Sequence, residues 1–393
     1  MKKYNFDELI DRRHTDSIKY DHIPEKYQTE DYLPMWVADM DFRTPEFVID
    51  AINKRVEKGI FGYTKPSLQY YESISKWLKH RFDFKVKTAE IHYLPGVVPG
   101  IYDIIQCFTN IGDKVMVQTP VYFPFFKVTN ASAREAISAP LKIADDGQLS
   151  MDFEKIEERI AECSLFLLCN PHNPGGTVWK VDDLKRLAHI CKENRVLVVS
   201  DEIHASMALA PHKHTPFAKV SDEARANSIT LMAPSKTFNI PGLITSYAVV
   251  LDQTIRAKFF PYVEENHIAM GSVFAFDCTC ACYSDEGENW LNQMLAYLQH
   301  NIDYVFDFLK ENCPKIGGMR PEASFLIFLD NRKLKLSQKE LVDFYNDEAR
   351  IYLNDGTAFG PQGAGFMRMN VAAPFSVIQR AMKQLKEAYD KRF

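Results

Sequence analysis

The chain alternates short, nearly unbroken apolar runs with segments of helical period. The runs cover residues 115–118, 165–169, 196–200, 228–232 and 246–251. Each is too short for a buried helix and ends at a turn-forming group, so each is expected to be a strand. Thr44-Pro45 predicts a helix start, with threonine as cap and proline in the first turn. Phe47, Val48, Ala51, Ile52 and Val56 then fall on one helical face, and Gly59 closes the helix. A loop at Phe61-Gly62-Tyr63-Thr64 leads to a second helix over 67–82, with Tyr70, Ile74, Trp77 and Leu78 on its apolar side. Leu94-Pro-Gly96-Val-Val-Pro-Gly100 opens a helix running to about Phe108, and a further helix is expected over 181–193. Strands apolar on both faces and separated by helices imply an α/β fold with a mostly parallel, doubly covered sheet.

In such sheets ligands sit beyond the carboxyl ends of the strands. That rule places Tyr122, Asn173, Asp201 and Lys236, each just past a strand, along one rim. Beyond about residue 285 the texture changes: a long amphipathic helix over 290–310, strands at 324–329 and 366–371, and helices at 338–350 and 376–391. The expected division is an N-terminal arm (1–45) packing with the smaller unit, a large domain (46–285) and a small C-terminal α+β domain (286–393).

Composition narrows the function classes. The 393 residues are 46% hydrophobic and 25% charged, with a net charge of −5, the balance of a soluble globular protein without a nucleic-acid or membrane partner. The N-terminal Met1-Lys-Lys-Tyr-Asn-Phe-Asp-Glu has no signal-peptide core, so the cytoplasm is the expected compartment. Eight cysteines are expected as reduced thiols. Cys278-Thr-Cys280-Ala-Cys282 lacks the second ligand pair of a zinc site, so no metal is expected. No Gly-x-Gly-x-x-Gly follows the first strand, which argues against a dinucleotide-binding dehydrogenase.

Lys236 is the residue around which the rim acquires a chemistry. A lysine at the tip of a buried strand is partly desolvated, which lowers its pKa and leaves free amine to condense with an aldehyde. The cofactor that exploits such an amine is pyridoxal phosphate. Its ring nitrogen needs a carboxylate, for which Asp201 is placed, and its phenolic oxygen a donor such as Asn173 or His204. Tyr122 can stack on the ring. Backbone N–H groups at Val97 and Val98, opening a helix, suit the phosphate, and Ser235 adds a hydroxyl. Arg368, within an apolar strand, suits the carboxylate of an amino-acid substrate. Each residue taken alone has a plainer reading: a turn at Asn173-Pro-Gly-Gly, a helix cap at Asp201, a core aromatic at Tyr122, a structural ion pair at Arg368.

The order Asn170-Pro-x-x-Asn173-Pro-Gly-Gly, Asp201-Glu-Ile-His204, Ser235-Lys-Thr-Phe-Asn-Ile-Pro-Gly242 and Met367-Arg-Met-Asn370 resembles the fold-type I, class I/II aminotransferase superfamily. Asn5-Phe-Asp, the segment Asp11 to Asp21, Pro34-Met-Trp-Val-Ala-Asp-Met-Asp-Phe42 and Gly62-Tyr63-Thr64 narrow the likeness to its cystathionine β-lyase (C–S lyase) branch, which includes the maltose-regulon modulator. The resemblance implies a PLP-dependent transferase fold of type I, with a mostly parallel seven-stranded sheet. It implies that Lys236 holds the cofactor covalently and moves the proton, Asp201 pairs with the ring nitrogen, and Asn173 bonds the phenolic oxygen. Tyr122 would stack, Val97, Val98 and Ser235 would hold phosphate, and Arg368 would grip the substrate with the backbone near Ala38 closing over it. Tyr63 would reach the cofactor phosphate of the other subunit of a homodimer.

The implied reaction is α,β-elimination of cystathionine or another cysteine S-conjugate to a thiol, pyruvate and ammonia. Transamination with a keto-acid acceptor uses the same residues and is the alternative; a mainly regulatory binding role is the third. The chain departs from ordinary aminotransferases at His204, where they often carry tyrosine, and at Ala233 and Ile244, where they often carry a serine and an arginine for phosphate. Some lyases of the branch have two adjacent tyrosines where this chain has Tyr122-Phe123.

Overall fold

The computed structural model describes residues 2–144 and 147–393; Met1, with which the expected arm begins, lies outside the described residues. Seven strands form the central sheet: β1 (Ile91–Leu94), β2 (Lys114–Val117), β3 (Glu135–Ser138), β4 (Cys163–Cys169), β5 (Leu197–Asp201), β6 (Ser228–Met232) and β7 (Ser246–Val249). Their spatial order is β1-β7-β6-β5-β4-β2-β3. The strands β3, β2, β4, β5 and β6 pair in parallel, and β7 runs antiparallel to both β6 and β1.

The unbroken apolar runs follow from burial on both faces. On one face Val115, Val117, Leu165, Leu167, Val199 and Leu231 pack with Ile101, Ile104 and Ile105 of the helix Val97–Phe108. On the other, Met116, Phe166, Leu168 and Val198 meet Leu184, Leu187 and Cys191 of the helix Val181–Glu193. Burying each such side chain is worth about 1.5–3 kcal/mol, so a one-residue slip of register gains nothing: either face must be apolar. The helices Glu46–Val56 and Leu68–Phe82 and the long helix Asp285–Asn312 close a third cluster around Phe238 and Trp290.

A second, antiparallel sheet follows the order Gly317–Met319, Leu326–Asp330, Phe366–Asn370, Asn354–Asp355. Its register sets Phe328 and Asn354 on either side of Arg368. Near the N-terminus, Leu33-Pro34 pairs in parallel with Ile351-Tyr352, while Phe6 packs edge-on against Phe42 and Trp290. Among the described residues no helix is long and apolar enough to cross a membrane.

Several expectations need correction. Thr44 does not cap the first helix; its hydroxyl donates to the Asn239 carbonyl, and Val56 is 47% exposed rather than on the buried face. The helix expected over 338–350 is α-helical only over Gln338–Asp343 and then widens to a π-helical turn over Phe344–Glu348. Ser324 precedes its strand, with a left-handed φ of 77°. The strands β1 and β3 escape the apolar pattern because His92 interrupts one and Glu135, exposed at the sheet edge, begins the other. Among the described residues the eight cysteines form no disulfide and no cluster could hold a metal ion.

Candidate active site

The carboxyl ends of β4, β5 and β6 and the start of the helix Val97–Phe108 converge on a cavity of about 240 Å³. Its lining includes Ala38, Val97, Val98, Tyr122, Asn173, Asp201, His204, Ser235 and Lys236, nine of the positions expected from sequence.

Lys236 keeps some surface open to the cavity, but its amine is withdrawn from bulk water and donates to the Ala38 carbonyl at 2.6 Å. Burial is the largest cause of a pKa lowered to about 8; Arg368 lowers it further, while Asp39 and Asp201 pull it back up. Asp201, at the tip of β5, accepts from the Ile203 N–H at 3.1 Å, and burial raises its pKa to about 7. A carboxyl so placed gains most by facing a cation. His204 is buried, which lowers its pKa to about 3 and keeps the ring neutral; its Nδ1 has no partner among the described residues.

Arg368 departs furthest from a structural residue. It is buried, its two terminal nitrogens donate to Asn173 Oδ1 (3.1 Å), the Trp36 carbonyl (2.9 Å) and Asn354 Oδ1 (2.6 Å), and its Nε is unpartnered. Among the described residues it has no carboxylate partner, and burial lowers its pKa to about 10. A buried guanidinium without an anion is costly, so the structural ion pair considered for it is absent and an incoming anion would relieve the cost. Tyr122 lies beside it with its phenol pKa raised, chiefly by burial. Gly96 offers no capping side chain, so the N–H groups of Val97 and Val98 are free for an anion, as those at a helix start are.

Two expected residues do not line the cavity: Arg368, which meets it only through Asn173 Oδ1, and Tyr63. Tyr63 is 97% exposed and does not line the cavity of its own chain. Others were missed. Residues 36–42 form a strap over Lys236, and its carbonyls are bound in turn by Arg368 (Trp36), Asn370 (Val37 and Asp39), Lys236 (Ala38) and Asn239 (Met40 and Phe42). Behind it Arg12 and Lys19 pair with Asp39 and Asp41, Lys19 being almost fully buried. The two aspartates in an apolar stretch were the available signal. Cys169, Ile203 and Thr245 also line the cavity, and no spacing or periodicity points to them.

An ordered amine, a buried carboxyl, an unpaired guanidinium and a free helix start fit pyridoxal phosphate and an amino-acid carboxylate. The comparisons agree with that chemistry. The profile of the family described as aminotransferase class I and II matches residues 30–385. The chain is 41% identical to the cystathionine β-lyase PatB of Bacillus subtilis (strain 168), over 98% of this chain and 99% of that protein. It superposes with a TM-score of 0.94 on cystalysin from Treponema denticola, a crystal structure containing pyridoxal 5′-phosphate, at 32% identity over 99% of this chain and 100% of the other. The PLP-bound C–S lyase from Staphylococcus hominis gives 0.90 at 31% identity, over 99% and 100% of the two chains.

Proposed function

The chain belongs to the class I and II aminotransferase family, and from that premise we propose that it is a pyridoxal-phosphate-dependent carbon–sulfur β-lyase. Its substrate is cystathionine or another cysteine S-conjugate, cleaved by α,β-elimination to a thiol and aminoacrylate, which water hydrolyses to pyruvate and ammonia. The observation that carries an amino-acid substrate is the buried, anion-free Arg368, which bonds Asn173 at the edge of the cavity lined by the low-pKa amine of Lys236. The choice of lyase rests on the full-length likeness to a cystathionine β-lyase.

When bound, the cofactor supplies an electron sink for negative charge at the substrate Cα. The chain does the rest. Asp201 would present its carboxylate to the ring nitrogen, Asn173 and His204 would serve the phenolic oxygen, and Tyr122 would stack on the ring. Val97 and Val98 would hold the phosphate through their N–H groups, with Ser235 adding its hydroxyl. Arg368 grips the α-carboxylate while the strap at Ala38 excludes water from above. The Lys236 amine then takes the Cα proton, and the sulfur leaves as thiolate, an accessible leaving group because its conjugate acid has a pKa of about 8.5.

Residues 46–285 are proposed as the cofactor-binding domain, 286–393 as the smaller domain and 1–45 as the arm, in a cytoplasmic homodimer in which Tyr63 reaches the neighbouring cofactor phosphate. Borohydride reduction of the coloured protein followed by peptide mapping is expected to label Lys236, and cystathionine should release pyruvate. A label elsewhere would refute the assignment of the amine. A correctly labelled enzyme that only exchanges amino groups with a keto acid would replace lyase by aminotransferase, the activity for which the family is named.

A further inference from the structure

Directly behind Asp201 lies a second carboxylate that the proposed mechanism does not use. Successive residues at a strand end face opposite ways. Asp201 lines the cavity, and Glu202 turns inward to a site with no side-chain exposure. Burying a carboxylate there is expensive unless donors surround it. Glu202 has four: the Ser200 hydroxyl (2.9 Å), the Phe217 N–H (2.8 Å) and the Asn170 amide (3.5 Å) reach Oε1, and His214 Nε2 lies 2.8 Å from Oε2. Backbone N–H and amide N–H can only donate, so this is the setting of an ionised acid. His214 is itself completely buried, its Nδ1 has no partner among the described residues, and Phe82 packs edge-on against its ring. His214 Nε2–H thus completes the ring of donors that holds Glu202 in place.

Two consequences follow for the cavity. Asn170, the residue that starts the Asn170-Pro-His-Asn173 turn, donates its backbone N–H to the Asp201 carbonyl and its side chain to Glu202 and the Thr215 carbonyl. Glu202 therefore ties together the segments bearing Asp201 and Asn173. Its charge also adds to that of Asp201, so a proton on a ring nitrogen facing Asp201 is held by two carboxylates rather than one.

We infer that Glu202 is a positioning residue for the cofactor, acting through Asp201 to hold the proton on the pyridine nitrogen. The inference rests on the proposed function. It is tested by comparing the affinity of apoprotein for pyridoxal phosphate with that for the analogue carrying carbon in place of the ring nitrogen. Glu202→Gln is expected to weaken pyridoxal phosphate about tenfold, equivalent to one pKa unit at the ring nitrogen, and to change analogue binding by less than about twofold. Glu202→Asp keeps the charge and should retain most of the preference. If Glu202→Gln does not fold, Glu202→Leu with His214→Phe removes both buried polar groups together and carries the same expectation.

A merely structural Glu202 would weaken both ligands in proportion, or neither, and either result overturns the inference alone. Wild-type protein that binds neither aldehyde would overturn the proposed function, and this inference with it.

Discussion

At the scale of single residues, the amine of Lys236 is governed by what surrounds it. Its neutral form is the nucleophile, so condensation of apoprotein with pyridoxal phosphate should accelerate as pH rises through about 8 and level off above. Asp39 raises the pKa of this amine, so Asp39→Asn should move the midpoint to lower pH, which stopped-flow absorbance across a pH series would read. An unmoved midpoint would remove Asp39 from the account. Arg368 makes a separate prediction. Arg368→Lys keeps a charge but loses the fork that grips a carboxylate, a loss of about 2 kcal/mol, or about thirtyfold in KM, with kcat little changed. Equal loss in kcat would place Arg368 in the chemistry rather than in binding. Lys236, Asp201 and Asn173 were legible because each stands at a turn after an apolar run, where strand geometry aims it at a cavity. Asn354 was not legible, since its contact with Arg368 arises from pairing of strands that no local pattern registers.

At the scale of elements, the strap over Lys236 is held by side chains rather than by a ladder. Asn239, with a left-handed φ of 55°, accepts from the Met40 N–H at 2.9 Å and donates to the Met40 and Phe42 carbonyls at 3.0 and 2.8 Å. Asn239→Gly retains the backbone conformation and loses all three bonds. It should loosen the strap, raising KM by about tenfold if about 1.4 kcal/mol of its ordering is lost, while substrate-free thermal stability falls little. A large fall in melting temperature with KM unchanged would make Asn239 structural only. The strap also marks where sequence reading ends. Periodicity placed the helix Val181–Glu193 and the strand Ser228–Met232 to the residue, because each buries a complete apolar face or run. It gave residues 34–42 no element, and they have almost none: their order comes from Arg12, Asn239, Arg368 and Asn370, all remote in the chain.

At the scale of the whole molecule, one surface is left with apolar groups in water. Ile60, Phe61, Tyr63 and Leu68 are 74%, 58%, 97% and 65% exposed, and they flank the turn between the first two helices. Ordinary surfaces carry scattered apolar side chains, but four within nine positions form a patch of the kind that marks an interface. The end of the cavity proposed for the phosphate supplies a second reason to expect a neighbour there. Ala233 and Ile244 line it without a hydroxyl or a charge, so backbone N–H groups and Ser235 need a further donor. In the proposed homodimer the phenol of Tyr63 is that donor, supplied by one subunit to the other. Tyr63→Phe deletes only the hydroxyl and should leave a dimer by sedimentation, yet weaken pyridoxal phosphate by about 1 kcal/mol, roughly fivefold. Replacing Ile60 and Phe61 together by glutamate should produce monomers with the same cofactor defect, because the phenol is then out of reach of every active site. A monomeric variant with full cofactor affinity would show that each chain completes its own phosphate site, and the exposed strip would need another occupant.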